Sequence, residues 1–571
     1  MKNYAVRERK KENLIEHLLF HRGITSVEDV EKFLNPDYEK HTHDPFLMKD
    51  MENAVERILR AIKNNERIAI FSDYDADGIP GAVMLHDFFK KLGYANFENY
   101  IPDRHGEGFG LNGSAIEELA KRGANLLITI DCGIADTEEV AYANGLGLEV
   151  IITDHHLLSD SIPLAFAILN PKQSACPYPE KMLCGSGVVF KLVQALAQRL
   201  TTPLMRGWEK WLLDMVGIAT LSDMVPLTGE NRVFAHFGLK VLRRSPRVGL
   251  GQLLQELRIN RSDLSEDDVG FMITPRINAA SRMGVPMDAF RLFATEDATE
   301  AGALAKHLNH INNERKGKVA SLVKEVRKIV AEQHEERAPL VVVAGNPNWR
   351  PSLLGLVANS LVEDYQKPVF IWGREGNDTL KGSCRSDGSV NLSLLMQEAR
   401  SVFSDFGGHA EAGGFSVALE KVHLLESELE RAYEKVRLPA QAGLSREAKP
   451  QYAVDARISI DEVSWALWND IAKLAPFGVG NPKPLFLFEQ FVVSAIELFG
   501  KEKQHLKLVF KKSDGEKISA VKFFSKPDDF GGIAQGQNIN LLAHLEKSTF
   551  GNRPELRLRI VDVVASSATR R

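Results

Sequence analysis

Three short aliphatic runs in the first half of the chain constrain its fold more than any other feature. They cover residues 67–71, 125–130 and 148–153, and stretches with helical spacing of apolar residues separate them. Almost continuous aliphatic strands are typical of parallel sheets, because helices cover both faces of such sheets. The pattern therefore predicts an α/β domain with a parallel sheet over residues 46–235.

The chain has 571 residues, which is more than one hydrophobic core normally holds, so we expect several domains. Apolar residues recur at helical spacing from Val319 to Val330 and predict one long connecting helix. Alternating patterns at 505–510 and 556–560 predict strands of a small β-barrel. Besides the first α/β domain, the predicted regions are an N-terminal helical arm (1–45), a helical region with the connecting helix (236–337), a second α/β unit (338–440), a linker (440–448) and the barrel (450–571).

Composition narrows the function less than the patterns do. There are 71 basic and 76 acidic residues, a net charge of −5, which does not exclude a nucleic-acid partner because phosphate contacts need only a locally basic groove. The four cysteines are scattered, without a Cys-x-x-Cys pair, so we expect neither a zinc site nor a disulfide framework. The N-terminus lacks an apolar signal-peptide core, and no apolar run could span a bilayer, which predicts a cytoplasmic protein.

Acidic residues and histidines follow each of the three aliphatic runs. In chain order they are Asp73, Asp75 and Asp77, then Asp131, then Asp154, His155 and His156. Because ligands bind beyond the carboxyl ends of parallel strands, we expect these side chains to converge, and Asp223 could join them from the end of a helix. Carboxylates and imidazoles suit Mn²⁺ or Mg²⁺, and two such ions about 4 Å apart can clamp a phosphoryl group and activate water. The sequence therefore predicts a metal-dependent phosphodiesterase.

Each of these residues also has an ordinary interpretation. An aspartate at a strand end is often the N-cap of the next helix, and a lone His-His pair is often a packing feature. Asp-x-Asp-x-Asp-Gly also resembles the start of an EF-hand loop. However, the twelfth position from Asp73 is Met84 rather than Glu, and a strand rather than a helix precedes Asp73. The coincidence of three strand ends favours the metal site.

These segments, in this order, resemble the DHH phosphoesterase superfamily, which is named for the triplet at 154–156. Within it, nearly the whole chain resembles the bacterial exonucleases specific for single-stranded DNA. Further matching motifs lie at 275–282, 407–414 and 476–482. The resemblance implies a fold of two α/β domains, the DHH domain with its parallel sheet and a DHH-associated domain, joined by the long helix and followed by a C-terminal OB-fold barrel.

The resemblance also implies a role for each residue of the acidic group. It assigns Asp75 to one ion and Asp77 to the other, Asp131 to a bridge between them, His155 and Asp223 to the second ion, Asp73 and Asp154 to orientation of the ligands, and His156 to the scissile phosphate or a leaving oxygen. The nucleophile would be water activated by the ions rather than a side chain.

Substrate contacts implied by the resemblance lie in the later motifs. Phosphate binding is expected from Arg276, Asn278 and Arg282, and from Gly407, Gly408 and His409 with Arg385 and Ser386 nearby. In the barrel, the basic side chains are Lys507, Arg557 and Arg559, and the aromatic residues that could stack bases are Phe523, Phe524 and Phe550. Surface ion pairs for the arginines, a turn for Gly-Gly-His and core packing for the phenylalanines are the alternatives.

Three positions depart from the family pattern. Arg350 stands where a histidine is expected, Ser281 stands where a glycine is expected, and Cys384 interrupts an expected Gly-Arg-Ser. We expect all three to lie in substrate-contact regions, where they would affect specificity rather than catalysis.

The implied function is processive 5′-to-3′ hydrolysis of single-stranded DNA in repair and recombination. Implied partners are a single-strand-binding protein and a helicase, and we expect a monomer. Two alternatives remain. The chain could hydrolyse oligoribonucleotides or cyclic dinucleotides, as small DHH enzymes do, although these typically lack such a barrel. It could also be an inactive DNA-binding scaffold, although a scaffold would be expected to lose the metal-binding acids.

Overall fold

A computed structural model describes residues 4–158, 161–200, 204–333, 339–375, 379–437, 452–549 and 554–565. The linker predicted at 440–448 and Phe550 lie outside these residues. The chain forms two compact units: Pro45–Asp223 with Val241–Gly443, and Met1–Asp44 with Met224–Lys240 and Leu444–Arg571. None of the helices in the described ranges has the length and apolar character needed to cross a membrane.

The strands, in chain order, are β1 (Tyr4–Val6), β2 (Ile68–Ser72), β3 (Phe97–Tyr100), β4 (Leu126–Ile130), β5 (Glu149–Thr153), β6 (Ala167–Leu169), β7 (Val342–Gly345), β8 (Val369–Glu375), β9 (Thr379–Arg385), β10 (Asp405–Gly408), β11 (Ala412–Ala418), β12 (Tyr452–Val454), β13 (Ala456–Arg457), β14 (Phe486–Val492), β15 (Ala495–Phe499), β16 (His505–Lys511), β17 (Lys517–Lys522), β18 (Asn538–Ser548) and β19 (Glu555–Ala565).

The α-helices are α1 (Leu14–Phe20), α2 (Val27–Leu34), α3 (Tyr38–His41), α4 (Met51–Asn64), α5 (Gly78–Lys91), α6 (Gly113–Lys121), α7 (Thr137–Gly145), α8 (Gly185–Arg199), α9 (Leu213–Ser222), α10 (Gly229–Leu242), α11 (Val248–Glu256), α12 (Glu266–Asp268), α13 (Thr274–Met283), α14 (Pro286–Ala294), α15 (Ala298–Gln333), α16 (Pro351–Tyr365), α17 (Leu392–Glu398), α18 (Leu425–Val436) and α19 (Trp465–Ala472). A π-helical turn, Val269–Ile273, precedes α13.

The predicted parallel sheet is confirmed. Its order is β3-β2-β4-β5-β6, and all four pairings are parallel. Helices α6 and α7 pack against one face, while α5 packs with α8 and α9 beyond the other. Because both faces are covered, every residue of β2 and β4 is buried, which explains why these strands appear in the sequence as unbroken aliphatic runs.

The long connecting helix is α15, which spans 36 residues. Its second half carries Val323, Val326 and Val330 into a core shared with β7, β8 and α16. The second sheet has the order β10-β11-β9-β8-β7, in which only the β7–β8 pair is parallel. Helices α17 and α18 cover its other face.

The remaining unit contains the barrel, a seven-stranded sheet in the order β13-β14-β18-β19-β17-β16-β15. The N-terminal arm is part of this unit. Strand β1 pairs in parallel with β12, and Leu18, Leu19 and Phe33 of the arm lie in the same apolar core as Phe486 and Phe488 of the barrel.

Candidate metal centre

The register of the parallel sheet brings the predicted acids together. Ser72 pairs with Ile130, and Ile130 pairs with Thr153, so the three strands end at one level. The next residues extend the same ladder. Asp73 N–H donates to the Ile130 carbonyl at 3.0 Å and Asp131 N–H to the Thr153 carbonyl at 2.9 Å. Adjacent strand ends thus deliver acidic side chains to one edge of the sheet.

Three overlapping groups of side chains present ligand atoms within 4.8 Å of one another. They are Asp77 with His155 and Asp223, Asp73 with Asp75 and Asp131, and Asp131 with His155 and His156. Asp131 and His155 each belong to two groups, so the centre is continuous. This arrangement offers enough oxygen and nitrogen ligands for two divalent cations that share a carboxylate.

Asp77 is fixed by the start of α8. One carboxylate oxygen accepts the Gly185 N–H at 2.6 Å and the other accepts the Ser186 N–H at 2.7 Å, while the Ser186 hydroxyl donates to the Asp77 carbonyl at 2.5 Å. Burial and the nearby charge of Asp75 raise the pKa of Asp77 to about 6, against the opposing effect of these hydrogen bonds. The carboxylate is therefore held in one orientation with its remaining lone pairs free for a cation.

Asp131 lies at the middle of the centre in a strained conformation. Its φ is +60°, in the left-handed region that non-glycine residues rarely adopt. Its Oδ1 is buried without a hydrogen bond: His155 Nε2 lies 3.1 Å away but does not have hydrogen-bond geometry. A buried carboxylate oxygen without a donor is destabilising unless a cation binds it.

The electrostatics of the acids also favour a bound metal cation. Burial and neighbouring carboxylates raise the pKa values of Asp73 and Asp131 well above the ordinary aspartate value, and they raise the pKa of Asp223 to about 8. Asp73 Oδ1 is, like Asp131 Oδ1, buried without a hydrogen-bond partner. Divalent cations would offset this mutual repulsion, so the residues fit metal ions.

Asp154 holds the histidine pair in place. Its carboxylate accepts the backbone N–H groups of His155, His156 and Ile134 at 2.7–3.0 Å, and it accepts His156 Nδ1 at 2.8 Å. Burial alone would lower the pKa of His156, but the hydrogen bond and charge of Asp154 raise it to about 9. Burial and the charge of His156 lower the pKa of His155 to about 3. At neutral pH His155 is therefore neutral, the form in which an imidazole can bind a metal ion, and His156 is a cation.

Asp75 and Asn278 shape the loop after β2. Asp75 Oδ1 accepts the N–H groups of Asp77 at 2.7 Å and Gly78 at 3.2 Å. The amide oxygen of Asn278, on α13, accepts the Ala76 N–H at 2.9 Å. The structure thus places Asn278, expected at the substrate phosphate, against the backbone of the metal-binding loop.

A group of basic side chains lies next to the acids. Burial and the like charges of Arg104 and Arg315 lower the pKa of Arg282 to about 10, and burial and Arg315 lower that of Arg276. Burial and the charges of Arg276 and Arg315 likewise lower the pKa of Lys316. The group consists of Arg104, Arg276, Arg282, Arg315 and Lys316. Within the described part of the chain, none of these five side chains forms an ion pair. Arg276 and Arg315 donate hydrogen bonds to the amide oxygens of asparagines on α15. Such an uncompensated basic cluster is suited to phosphate groups.

The sequence reasoning missed three basic side chains of this cluster, Arg104, Arg315 and Lys316. It also missed the backbone N–H groups of Gly185 and Ser186 that donate to Asp77. Arg104 lies over the ring of Tyr74, 5.0 Å from its centroid. The only sequence signal for the donors was the Gly-Ser-Gly that begins α8, because two glycines at a helix start permit close approach of a ligand.

Among the residues that the structure describes, the motif residues of the second α/β unit contact one another and not the metal centre. Gly408 has φ +146°, and a Cβ there would lie 2.4 Å from the Ala412 carbonyl oxygen, so glycine is required at this turn. His409 donates its N–H to Ala412, and Ser386 its hydroxyl to Val390. Across the described residues, the contacts of Arg385, Ser386, Gly407, Gly408 and His409 remain inside this unit.

Besides α15, Arg282 joins the two α/β domains. Its guanidinium donates to the Ser352 carbonyl at 2.8 Å, and the Ser352 hydroxyl donates to the Arg282 carbonyl at 3.2 Å. This pair of contacts joins the end of α13 to the start of α16. A segment expected to bind phosphate therefore also joins the two α/β domains.

The departures from the family pattern have different surroundings. Arg350 is exposed at the start of α16. Cys384 is 0% exposed within the core of the second sheet, and Ser281 is 1% exposed. The prediction of substrate contact is therefore wrong for the side chains of both Cys384 and Ser281, because both are buried; that of Cys384 fills the interior between β9 and α17.

In the barrel, Phe523 and Phe524 surround His505, with ring centroids 5.0 and 4.8 Å from its ring. Phe524 is 80% exposed, and the Arg559 guanidinium lies 4.2 Å from the Phe523 ring centroid. Two of the three predicted cations are paired, Lys507 with Glu497 and Arg557 with Glu546. The exposed ring of Phe524 is thus the strongest stacking candidate.

Comparison with known proteins identifies the family. The family model of the DHH N-terminal domain matches residues 67–220, that of the DHHA1 domain 338–436 and that of the RecJ OB domain 454–562. The chain is 35% identical to the single-stranded-DNA-specific exonuclease RecJ of Bacillus subtilis, over 97% of this chain and 68% of that protein. It is 30% identical to RecJ of Salmonella typhimurium, over 83% and 82%.

Solved structures agree with the sequence relatives. RecJ of Thermus thermophilus in complex with Mn²⁺ superposes with a TM-score of 0.80 at 25% identity, over 99% of this chain and 80% of that one. An exonuclease RecJ bound to manganese superposes with a TM-score of 0.59 at 30% identity, over 68% and 95%. The chain belongs to the RecJ family of single-stranded-DNA-specific exonucleases.

Proposed function

We propose that this protein is a metal-dependent exonuclease that hydrolyses single-stranded DNA from the 5′ end, with a role in DNA repair and recombination. The observation that carries the proposal is the continuous centre of three ligand groups, in which Asp131 and His155 are shared. A scaffold without activity would not need buried carboxylate oxygens that lack donors, as Asp73 and Asp131 have. The OB domain and the substrate of the named relatives support single-stranded DNA as the ligand.

Two Mn²⁺ or Mg²⁺ ions fit the centre. One would be held by Asp77, His155 and Asp223, and the other by Asp73, Asp75 and Asp131, with Asp131 between them. Asp73 is thereby a ligand rather than only an orienting residue, because its Oδ1 is buried and has no other partner. When bound, the ions supply charge stabilisation for the phosphoryl group and an activated water.

His156 is positioned to act on the substrate directly. Its Nδ1 is bonded to Asp154, its side chain is 42% exposed, and its pKa of about 9 keeps it protonated at neutral pH. Nε2–H is therefore available to a phosphate oxygen or to the leaving oxygen. Phe109, 57% exposed, packs against His156 with their ring centroids 5.8 Å apart and their planes nearly perpendicular, and we assign its exposed ring to stacking of a nucleobase.

Capture of the strand is assigned to the basic cluster of Arg104, Arg276, Arg282, Arg315 and Lys316. Uncompensated guanidinium groups beside a metal centre bind terminal and internal phosphates of one strand. Arg385, Ser386 and the Gly407–Gly408–His409 turn would contact phosphate from the second α/β unit. We propose that the two linked α/β domains form a cleft whose width admits one strand and excludes a duplex.

We further propose that the protein acts in the cytoplasm as a monomer. The proposed substrate is a free single strand of DNA. The expected partners are therefore a helicase that produces such strands and a single-strand-binding protein that coats them.

The test uses end-labelled single-stranded and blunt duplex DNA with Mn²⁺ or Mg²⁺. We expect mononucleotides to be released from the 5′ end of the single strand, little attack on the duplex, and a loss of at least about 1000-fold in kcat for Asp77→Ala. Release from the 3′ end, or equal attack on the duplex, would refute the polarity and specificity. Undiminished activity of Asp77→Ala would refute the metal centre, and hydrolysis of cyclic dinucleotides in preference to DNA would favour the alternative phosphodiesterase.

A further inference from the structure

The turn after β6 contacts the backbone of the histidine pair. Asn170 is 0% exposed, and its amide nitrogen donates to the His156 carbonyl oxygen at 3.0 Å. Its amide oxygen accepts the Lys172 N–H at 2.9 Å. Lys172 Nζ in turn donates to the His155 carbonyl oxygen. One short turn thus holds both carbonyls of the pair, one through a neutral amide and the other through a cation.

The charge of Lys172 lies close to the proposed ligands. The side chain is half-buried, and among the described residues it forms no ion pair. Burial lowers the pKa of Lys172, and the carboxylates of Asp223, Asp154 and Asp131 oppose that effect. The same charge acts on both His155 and Asp223, which belong to one ligand group. A neutral donor would hold the carbonyl equally well, as Asn170 shows for His156.

We propose that Lys172, which contacts the backbone of His155, limits through its charge the affinity of the Asp77–His155–Asp223 group for a divalent cation. A positive charge near a cation site repels the incoming ion, and the repulsion is strong where burial reduces solvent screening. The inference rests on the proposed metal-dependent function, but cation binding alone measures it.

The experiment titrates the metal-free, full-length protein with Mn²⁺ and follows free Mn²⁺ by electron paramagnetic resonance. Lys172→Met removes the charge at similar volume, and Lys172→Arg retains it. Lys181→Met is the matched control, since Lys181 donates to the Pro171 and Cys176 carbonyls in the same segment rather than to the His155 carbonyl. We expect one of the two Mn²⁺ affinities to rise about ten-fold in Lys172→Met. The other two variants should stay within about two-fold.

A purely structural lysine would give the opposite sign, because loss of the contact to His155 would weaken cation binding. Unchanged or weaker Mn²⁺ affinity in Lys172→Met, with circular dichroism equal to wild type, therefore overturns the inference. If that variant does not fold, Lys172→Gln, which keeps an amide donor, gives the same comparison. Weaker DNA binding at unchanged Mn²⁺ affinity also overturns it and assigns Lys172 to the substrate. Absence of Mn²⁺ binding in the wild type overturns the proposed function as well. Mn²⁺-dependent hydrolysis by a wild type and a Lys172→Met variant that bind Mn²⁺ with equal affinity overturns only this inference.

Discussion

Gly185→Ala should strongly reduce the activity of the enzyme through Asp131. Gly185 is the first residue of α8, and a Cβ there would lie 2.7 Å from both Cβ and Oδ1 of Asp131. To reach an ordinary contact of 3.4 Å, the Asp131 side chain must retreat by about 0.7 Å. Asp131 is buried, in a strained backbone conformation and shared by two ligand groups, so this shift displaces the proposed bridge between the ions.

The expected magnitude follows from that displacement. A misplacement approaching 1 Å at a reacting centre reduces rates by about 100-fold, so we expect kcat on single-stranded DNA to fall by about that factor. Overpacking of a buried site should reduce the free energy of unfolding by about 1–3 kcal/mol. The assay measures initial rates at saturating Mn²⁺, together with Mn²⁺ affinity and thermal unfolding.

Gly187→Ala provides the matched control two residues later in the same turn of α8. Its Cβ would approach nothing closer than Leu183 Cβ at 3.4 Å, an ordinary contact. We expect activity within about two-fold of wild type, since alanine is also the better helix former by about 1 kcal/mol. Wild-type activity and Mn²⁺ affinity in Gly185→Ala, or equal losses in both variants, would refute the reasoning.

Three further predictions concern pH, phosphate binding and base stacking. The metal-free protein should lose stability as the pH rises from about 4 to 8, because the pKa values of Asp77 (about 6) and Asp223 (about 8) exceed their ordinary value of 3.8, so the folded state keeps these protons above pH 4, where the unfolded state has lost them, until the pH passes the raised values. Thermal unfolding in a chelator should show this decline and Mn²⁺ should reverse it; a flat profile, or the same slope in Asp223→Asn, would contradict it. Arg282→Ala should raise KM for single-stranded DNA by about ten-fold and reduce the salt dependence of binding, leaving Mn²⁺ affinity unchanged, with loss of Mn²⁺ affinity as the contrary result. Phe524→Ala should weaken binding of long single strands by about 1–3 kcal/mol in fluorescence anisotropy, and unaltered binding would remove Phe524 from the DNA site.

The architecture was largely predictable because its signals are local. Fully buried parallel strands require unbroken aliphatic runs, and half-exposed barrel strands require alternation, so each pattern identifies its own element. The acids could be placed as well, since residues that follow neighbouring parallel strands must lie at one edge of the sheet. The roles assigned to the motifs of the second α/β unit came instead from the family resemblance, and their contacts in the structure remain within that unit.

The contacts that complete the centre could not be read from the sequence. Asp77 depends on the backbone of Gly185 and Ser186, the loop after β2 depends on Asn278, and the pairing of β1 with β12 joins the N-terminal arm to the barrel. No local periodicity encodes such distant pairings.

The sequence by itself determined which chemistry the strand ends carry, because the types of residue there decide which cation they can bind. Only the tertiary structure decided how those acids are held, where the basic side chains cluster and which lysine faces the metal centre. The reason is that charge interactions and hydrogen bonds depend on distances between residues far apart in the chain.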